Sequence, residues 1–129
     1  MHVLMISDVY FPRINGVSTS IETFRRSLVP HGVTTTLVAP AYPGNMPIRA
    51  DELRILARYL PFAPEDRLMR YQVLNGALAA IPPASYDLIH IQTPFAAHYA
   101  GIRLAKRTGK PVVTTYHTLF VEYIHCYAP

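Results

Sequence analysis

Two periodicities alternate along the chain: short runs of consecutive apolar residues, and longer stretches in which apolar residues recur every three or four positions. The first run, Val3-Leu4-Met5-Ile6, stops abruptly at Ser7-Asp8 and predicts a buried strand. A Pro-containing loop follows. Asn15-Gly16-Val17-Ser18 then opens a stretch in which Val17, Ile21, Phe24 and Leu28 form an apolar stripe, predicting an amphipathic helix with Glu22, Arg25 and Arg26 on its wet side. Pro30 and Gly32 end it near Leu28.

The β-branched run Val33 to Ala39 predicts a second strand, closed by Pro40, and Ala41 to Pro47 reads as loop. Leu53 to Ala57 reads as a short third strand, although Asp51-Glu52-Leu53-Arg54 could equally begin a helix. After the break at Pro61 to Pro64, the stretch from Glu65 to Ile81 carries Leu68, Tyr71, Leu74, Leu78 and Ile81 at helical spacings and predicts one helix. Tyr86 to Gln92 reads as a strand ending before Pro94. Phe95 to Thr108 reads as a helix, with Lys106 and Arg107 in its last turn, Gly109 just past it and Pro111 beyond. The last strand, Val112 to Tyr116, delivers His117-Thr118 at its carboxyl end.

Alternating strands and helices with strongly apolar strands predict an α/β, Rossmann-like parallel sheet with helices on both faces. Right-handed crossovers imply strand order 3-2-1-4-5. The loop at Asn15-Gly16, the exit at Gln92-Thr93-Pro94 and the exit at His117-Thr118 would then share one rim. A strand feeding a helix places backbone N–H groups and a positive helix end at that rim, which suits an anion, and Gly16 would let the backbone approach it. The plainer alternative is a tight turn at Asn15-Gly16, with Ser18 capping the helix.

Composition narrows the class. The 129 residues are half apolar and 16% charged, which excludes a disordered chain and fits one domain. No apolar run reaches the roughly 20 residues of a membrane span, and the start does not read as a signal peptide, so the expected location is the cytoplasm. The single Cys126 fits a reducing compartment. The net charge of +4 is spread along the chain, against a nucleic-acid stripe but compatible with anionic substrates or an anionic membrane surface.

Several chemistries are excluded by spacing. No G-x-G-x-x-G follows the first strand, and neither a P-loop nor a G-x-S-x-G elbow is present. His90, His98 and His125 have no zinc spacing, so no metal is expected.

The segments Asp8-Val9-Tyr10-Phe11-Pro12, Asn15-Gly16-Val17, His31-Gly32-Val33, Tyr86 to Gln92 and Lys110 to Thr118 together resemble the amino-terminal domain of family 4 retaining glycosyltransferases of the GT-B fold. The resemblance covers nearly the whole chain. Tyr116 to Phe120, with Tyr123 and Tyr127, looks closest to members that glycosylate membrane lipids. It implies a hexosyltransferase that moves a sugar from a nucleotide-sugar donor to a lipid or glycan acceptor with retention, without a cofactor. Asn15 and Gly16 would approach the donor diphosphate, and His117 would face the transferred sugar as the catalytic residue. Asp8, Tyr10, Thr118 and Tyr123 would lie on the acceptor side. Asp8 also admits a second reading, as a loop-capping carboxylate.

Residues 1–129 then read as an acceptor-side domain incomplete at its carboxyl end, lacking the donor-binding domain and inactive alone. Further expectations are no nucleic acid, peripheral contact at the inner membrane face, and self-association through Leu119, Phe120, Val121, Tyr123 and Ile124. A non-catalytic Rossmann-like binding or scaffold module is the alternative. A small oxidoreductase would instead require nicotinamide binding.

Overall fold

The structure, a computed structural model, describes residues 1–12, 16–44, 47–60 and 63–115. Five parallel strands form the main sheet: β1 (His2–Ile6), β2 (Thr34–Pro40), β3 (Glu52–Ile55), β6 (Leu88–Ile91) and β7 (Val112–Thr114). Their spatial order is β3-β2-β1-β6-β7. This is the expected 3-2-1-4-5 arrangement once a separate antiparallel hairpin, β4 (Ala57–Leu60) with β5 (Ala63–Met69), is set aside. The helices are α1 (Gly16–Leu28), α2 (Tyr71–Ala80) and α3 (Ala96–Thr108).

Side-chain alternation along the strands divides the core in two. Leu4, Ile6, Val38, Ile55, Ile89 and Ile91 pack with Leu74 and Leu78 of α2 and with Ala97, Ala100 and Leu104 of α3. Val3, Met5, Leu37 and Ala39, on the opposite face, pack with Ile21 of α1 and with Tyr10. Helices therefore cover both faces, as the apolar strands require.

The register fixes which strand ends meet. Ile6 pairs with Val38 on one side and Ile91 on the other, and Ile91 pairs with Thr114. The exits of β1, β6 and β7 thus reach one carboxyl edge.

Two expectations are corrected. Glu65 to Ile81 is not one helix: residues through Met69 pair with β4, with Ala57 opposite Met69, and Arg70 is extended before α2 begins. Good helix formers at 65–70 yield there to cross-strand pairing, which local periodicity does not register. Ala57 likewise belongs to the hairpin, while β3 stops at Ile55. The second correction concerns α1. Arg25, expected in water, is only 5% exposed, whereas Phe24, expected in the core, is 38% exposed and meets the His90 ring edge-on at 5.7 Å.

Candidate active site

The carboxyl edge is built first by the exit of β1. Ser7 continues the sheet by donating from its amide to the Val38 carbonyl, 2.9 Å, and its hydroxyl donates to the Val9 carbonyl, 2.6 Å. The chain then turns, and Asp8 reaches across to the exit of β6. Its amide donates to Thr93 Oγ1 at 2.7 Å, and the Thr93 hydroxyl donates back to Asp8 Oδ2 at 2.5 Å. The same carboxylate accepts from the Phe95 amide at 3.2 Å and the Ala97 amide at 3.1 Å. Phe95, the residue at the N-cap of α3, has no side-chain cap of its own, so Asp8 caps α3 from a distant strand.

Asp8 is 8% exposed, and burial pushes its carboxyl above the usual range against the opposing effect of Thr93 and the α3 amides. These contacts are those of a capping carboxylate.

The next turn of the loop is anchored by Tyr10. Its ring is buried, 1% exposed, in the core beneath α1 rather than on an open acceptor surface. Its hydroxyl donates to the Glu22 carboxylate and accepts from Arg25 Nη1 at 3.2 Å and Arg49 Nη2 at 2.9 Å. The Arg54 guanidinium stands 5.2 Å from the ring centroid, within cation–π range. Arg25 also donates to Thr35 Oγ1 at 3.0 Å and is ion-paired with Asp51.

This network ties the loop after β1 to α1 and to the turn before β3. Burial and then the Glu22 bond push the Tyr10 phenol up, against Arg25. Burial pushes Glu22 up too, but the bonds from Arg49 and Tyr10 and the charges of Arg49 and Arg25 outweigh it, and its carboxyl is lowered. Sequence reasoning missed the cluster because arginines and glutamates at helical spacing read as a solvated face. The one signal was an aromatic, Tyr10, directly after a strand exit.

Gly16 is the first residue of α1, exposed, and does not have a positive φ. A Cβ built there would meet nothing within 4 Å among the described residues. Among the described residues, none requires a glycine at this position. Ser18, offered as a cap, is instead the third residue of the helix and buried. Asn15, His117, Thr118 and Tyr123 lie outside the described residues. The last described residue towards them is Thr115, at the rim, whose amide donates to the Ile91 carbonyl at 3.0 Å and whose Oγ1 lies 2.6 Å from His90 Nε2. A pocket of about 60 Å³ adjoins the β1 and β2 exits, lined by Pro12, Tyr42, Gly44 and Arg54 among others. Among the described residues, no group of three or more His, Cys, Asp or Glu side chains could hold a metal ion.

A Rossmann-like parallel sheet with its polar exits gathered at the carboxyl edge defines an α/β domain of the class whose ligands bind outside that edge. Glycosyltransferase Family 4 matches residues 14–128, and the chain belongs to that family. It is similar to an alpha-monoglucosyldiacylglycerol synthase of Streptococcus pneumoniae, 32% identical over 97% of this chain and 28% of the relative. It is also similar to a GDP-mannose-dependent alpha-mannosyltransferase of Mycobacterium tuberculosis, 27% identical over 92% of this chain and 32% of the relative. The chain thus spans about a third or less of these relatives' length. Among solved structures, Acinetobacter baumannii MurG superposes with a TM-score of 0.57 at 15% identity, over 88% of this chain and 34% of that one, a likeness of fold.

Proposed function

We propose that this chain is the acceptor-side, amino-terminal part of a retaining glycosyltransferase that moves a sugar from a nucleotide-sugar donor to a membrane lipid. Family membership supports the reaction class, and the name of the pneumococcal relative supports the acceptor. The observation that carries the reading is Gly16: an exposed glycine opens α1, and no described residue lies within 4 Å of a Cβ built on it.

In this reading Gly16 and Asn15 let main chain approach the donor diphosphate at the positive end of α1. His117 faces the transferred sugar, and Thr118 and Tyr123 lie on the acceptor side. Asp8 and Tyr10 hold the loop rather than touch the acceptor. The bond from the sugar's anomeric carbon to the diphosphate breaks, a bond to the acceptor oxygen forms on the same face, and the leaving phosphate takes the acceptor proton. Residues outside this chain bind the nucleotide and stabilise the leaving group.

Membrane contact is assigned to the outer face of α2 and α3. Tyr71 and Val73 are exposed on α2, and Phe95 and Tyr99 at the start of α3, with Tyr99 65% exposed. Arg103, Lys106 and Arg107 follow on α3, and neither helix contains a carboxylate. Apolar and basic groups without acids suit an anionic leaflet, here the inner face of the cell membrane. No described helix is long and apolar enough to cross a bilayer. Self-association stays with Leu119, Phe120, Val121, Tyr123 and Ile124, which lie outside the described residues.

The test is product analysis with diacylglycerol vesicles and GDP-mannose or a panel of UDP-sugars. This chain alone should give no glycolipid, and the chain continuous with the polypeptide encoded downstream should give one whose anomeric configuration matches the donor. An inverted product, or none from the longer polypeptide, overturns the reading. Light scattering that gives a concentration-independent monomer mass overturns self-association.

A further inference from the structure

The rim of a parallel α/β sheet presents more than one helix N-terminus, and each is a potential anion site. Here one of them is already filled. The carboxylate of Asp8 accepts the Ala97 amide at 3.1 Å and the Phe95 amide at 3.2 Å, the Ala96 amide also acts on it, and the Thr93 hydroxyl closes the ring of donors at 2.5 Å. These are the groups a phosphate would seek, and the Asp8 carboxylate occupies them. The aligned peptide dipoles of α3 supply roughly half a positive charge, and a full negative charge from Asp8 more than cancels it. A second anion arriving at this corner would find its donors taken and the local field reversed.

We propose that Asp8 is a specificity-determining residue: an internal anion that closes the α3 N-terminus to phosphate and leaves α1, at Gly16, as the anion-accepting end of the rim. The idea rests on the proposed donor reading for the role of Gly16, but the closure of α3 stands on the Asp8 contacts alone. Thr93 is a positioning residue, holding the β1 exit and the carboxylate together through one hydroxyl.

The test is amide chemical-shift mapping of the ¹⁵N-labelled chain titrated with inorganic pyrophosphate. In the natural chain the Gly16 amide should shift, while the amides of Phe95, Ala96 and Ala97 stay still. In Asp8→Ala the three α3 amides should respond, with at least tenfold tighter pyrophosphate binding read at them. Asp8→Asn keeps the size of the side chain and removes its charge, so it should give the same change at smaller amplitude and stands in if Asp8→Ala does not fold. Shifts at Phe95 to Ala97 in the natural chain overturn the inference, as do silent α3 amides in a folded Asp8 variant. A silent Gly16 with α3 amides that respond only in the variants sinks the donor reading and leaves the closure of α3 standing.

Discussion

A Cβ added at Gly101 would stand 2.6 Å from Cγ1 and 2.7 Å from Cδ1 of Ile91, and 3.5 Å from Cδ1 of Ile6. Gly101 brings α3 close onto the sheet over Ile6 of β1 and Ile91 of β6, neighbouring strands whose exits reach the rim. Cδ1 could swing aside, but Cγ1 is near the backbone and moves only if the helix lifts. Gly101→Ala should therefore destabilise the chain by about 1–3 kcal/mol despite alanine's better helix propensity. Urea denaturation measures it, and an unchanged or raised midpoint would refute the close packing.

Arg25 joins three elements, through Tyr10, Thr35 and Asp51. Arg25→Met keeps the aliphatic stem but leaves the Tyr10 hydroxyl and the Glu22 side unbalanced. A loss of about 1–3 kcal/mol is expected: the buried Tyr10 hydroxyl loses a donor, while half-exposed Asp51 regains water. Tyr10→Phe should cost less, and the double variant should cost clearly less than the two singles added. Strict additivity would show that the contacts are energetically independent.

The parallel strands and their order were legible because each buried strand is a continuous apolar run bounded by Pro, Gly or a polar exit. The apolar stripe Val17, Ile21, Phe24 and Leu28 placed Gly16 at the opening of a helix, where it is. The hairpin was not legible, because Leu68, Tyr71 and Leu74 keep helical spacing across the strand-to-helix junction at Arg70. Nor was Asp8 as the cap of α3: caps are sought within a residue or two of the helix start, and this one is 89 residues from Ala97. Its trace was a negative one, a helix opening at Phe95 with a hydroxyl, Thr93, too early to cap it alone.

Acid titration should separate two carboxylates. Glu22 is held below its ordinary 4.5, so the unfolded chain binds its proton more tightly; its contribution is present above that value and lost as pH falls through the folded pKa. Asp8 is held above its ordinary 3.8, so the native chain binds its proton more tightly; its contribution is full below that value and lost as pH rises through the folded pKa. Urea midpoints from about pH 6 to about pH 3 should fall less steeply for Glu22→Gln than for the natural chain, and more steeply for Asp8→Asn. The opposite ordering would reverse the assigned shifts.

The basic turn of α3 gives a prediction for lipid binding. Each exposed cation near an anionic leaflet contributes about 1 kcal/mol, so replacing Arg103, Lys106 and Arg107 together by Gln should weaken binding to anionic vesicles on the order of 100-fold at low salt. Zwitterionic vesicles should bind both forms weakly. Equal binding of both forms to anionic vesicles in a flotation assay would move the contact surface elsewhere.

Gly16→Ala separates stability from ligand approach. With no described residue within 4 Å of the added Cβ, the alanine variant should fold at least as well as the natural chain, gaining at most about 1 kcal/mol from lower unfolded-state entropy. If main chain at this position lies against the donor diphosphate, the added methyl occupies the space the phosphate needs. Pyrophosphate binding read at the α1 amides should then weaken tenfold or more while the urea midpoint holds or rises. Weakened binding together with a lowered midpoint would instead assign the glycine to the fold, and unchanged binding would remove Gly16 from the donor site.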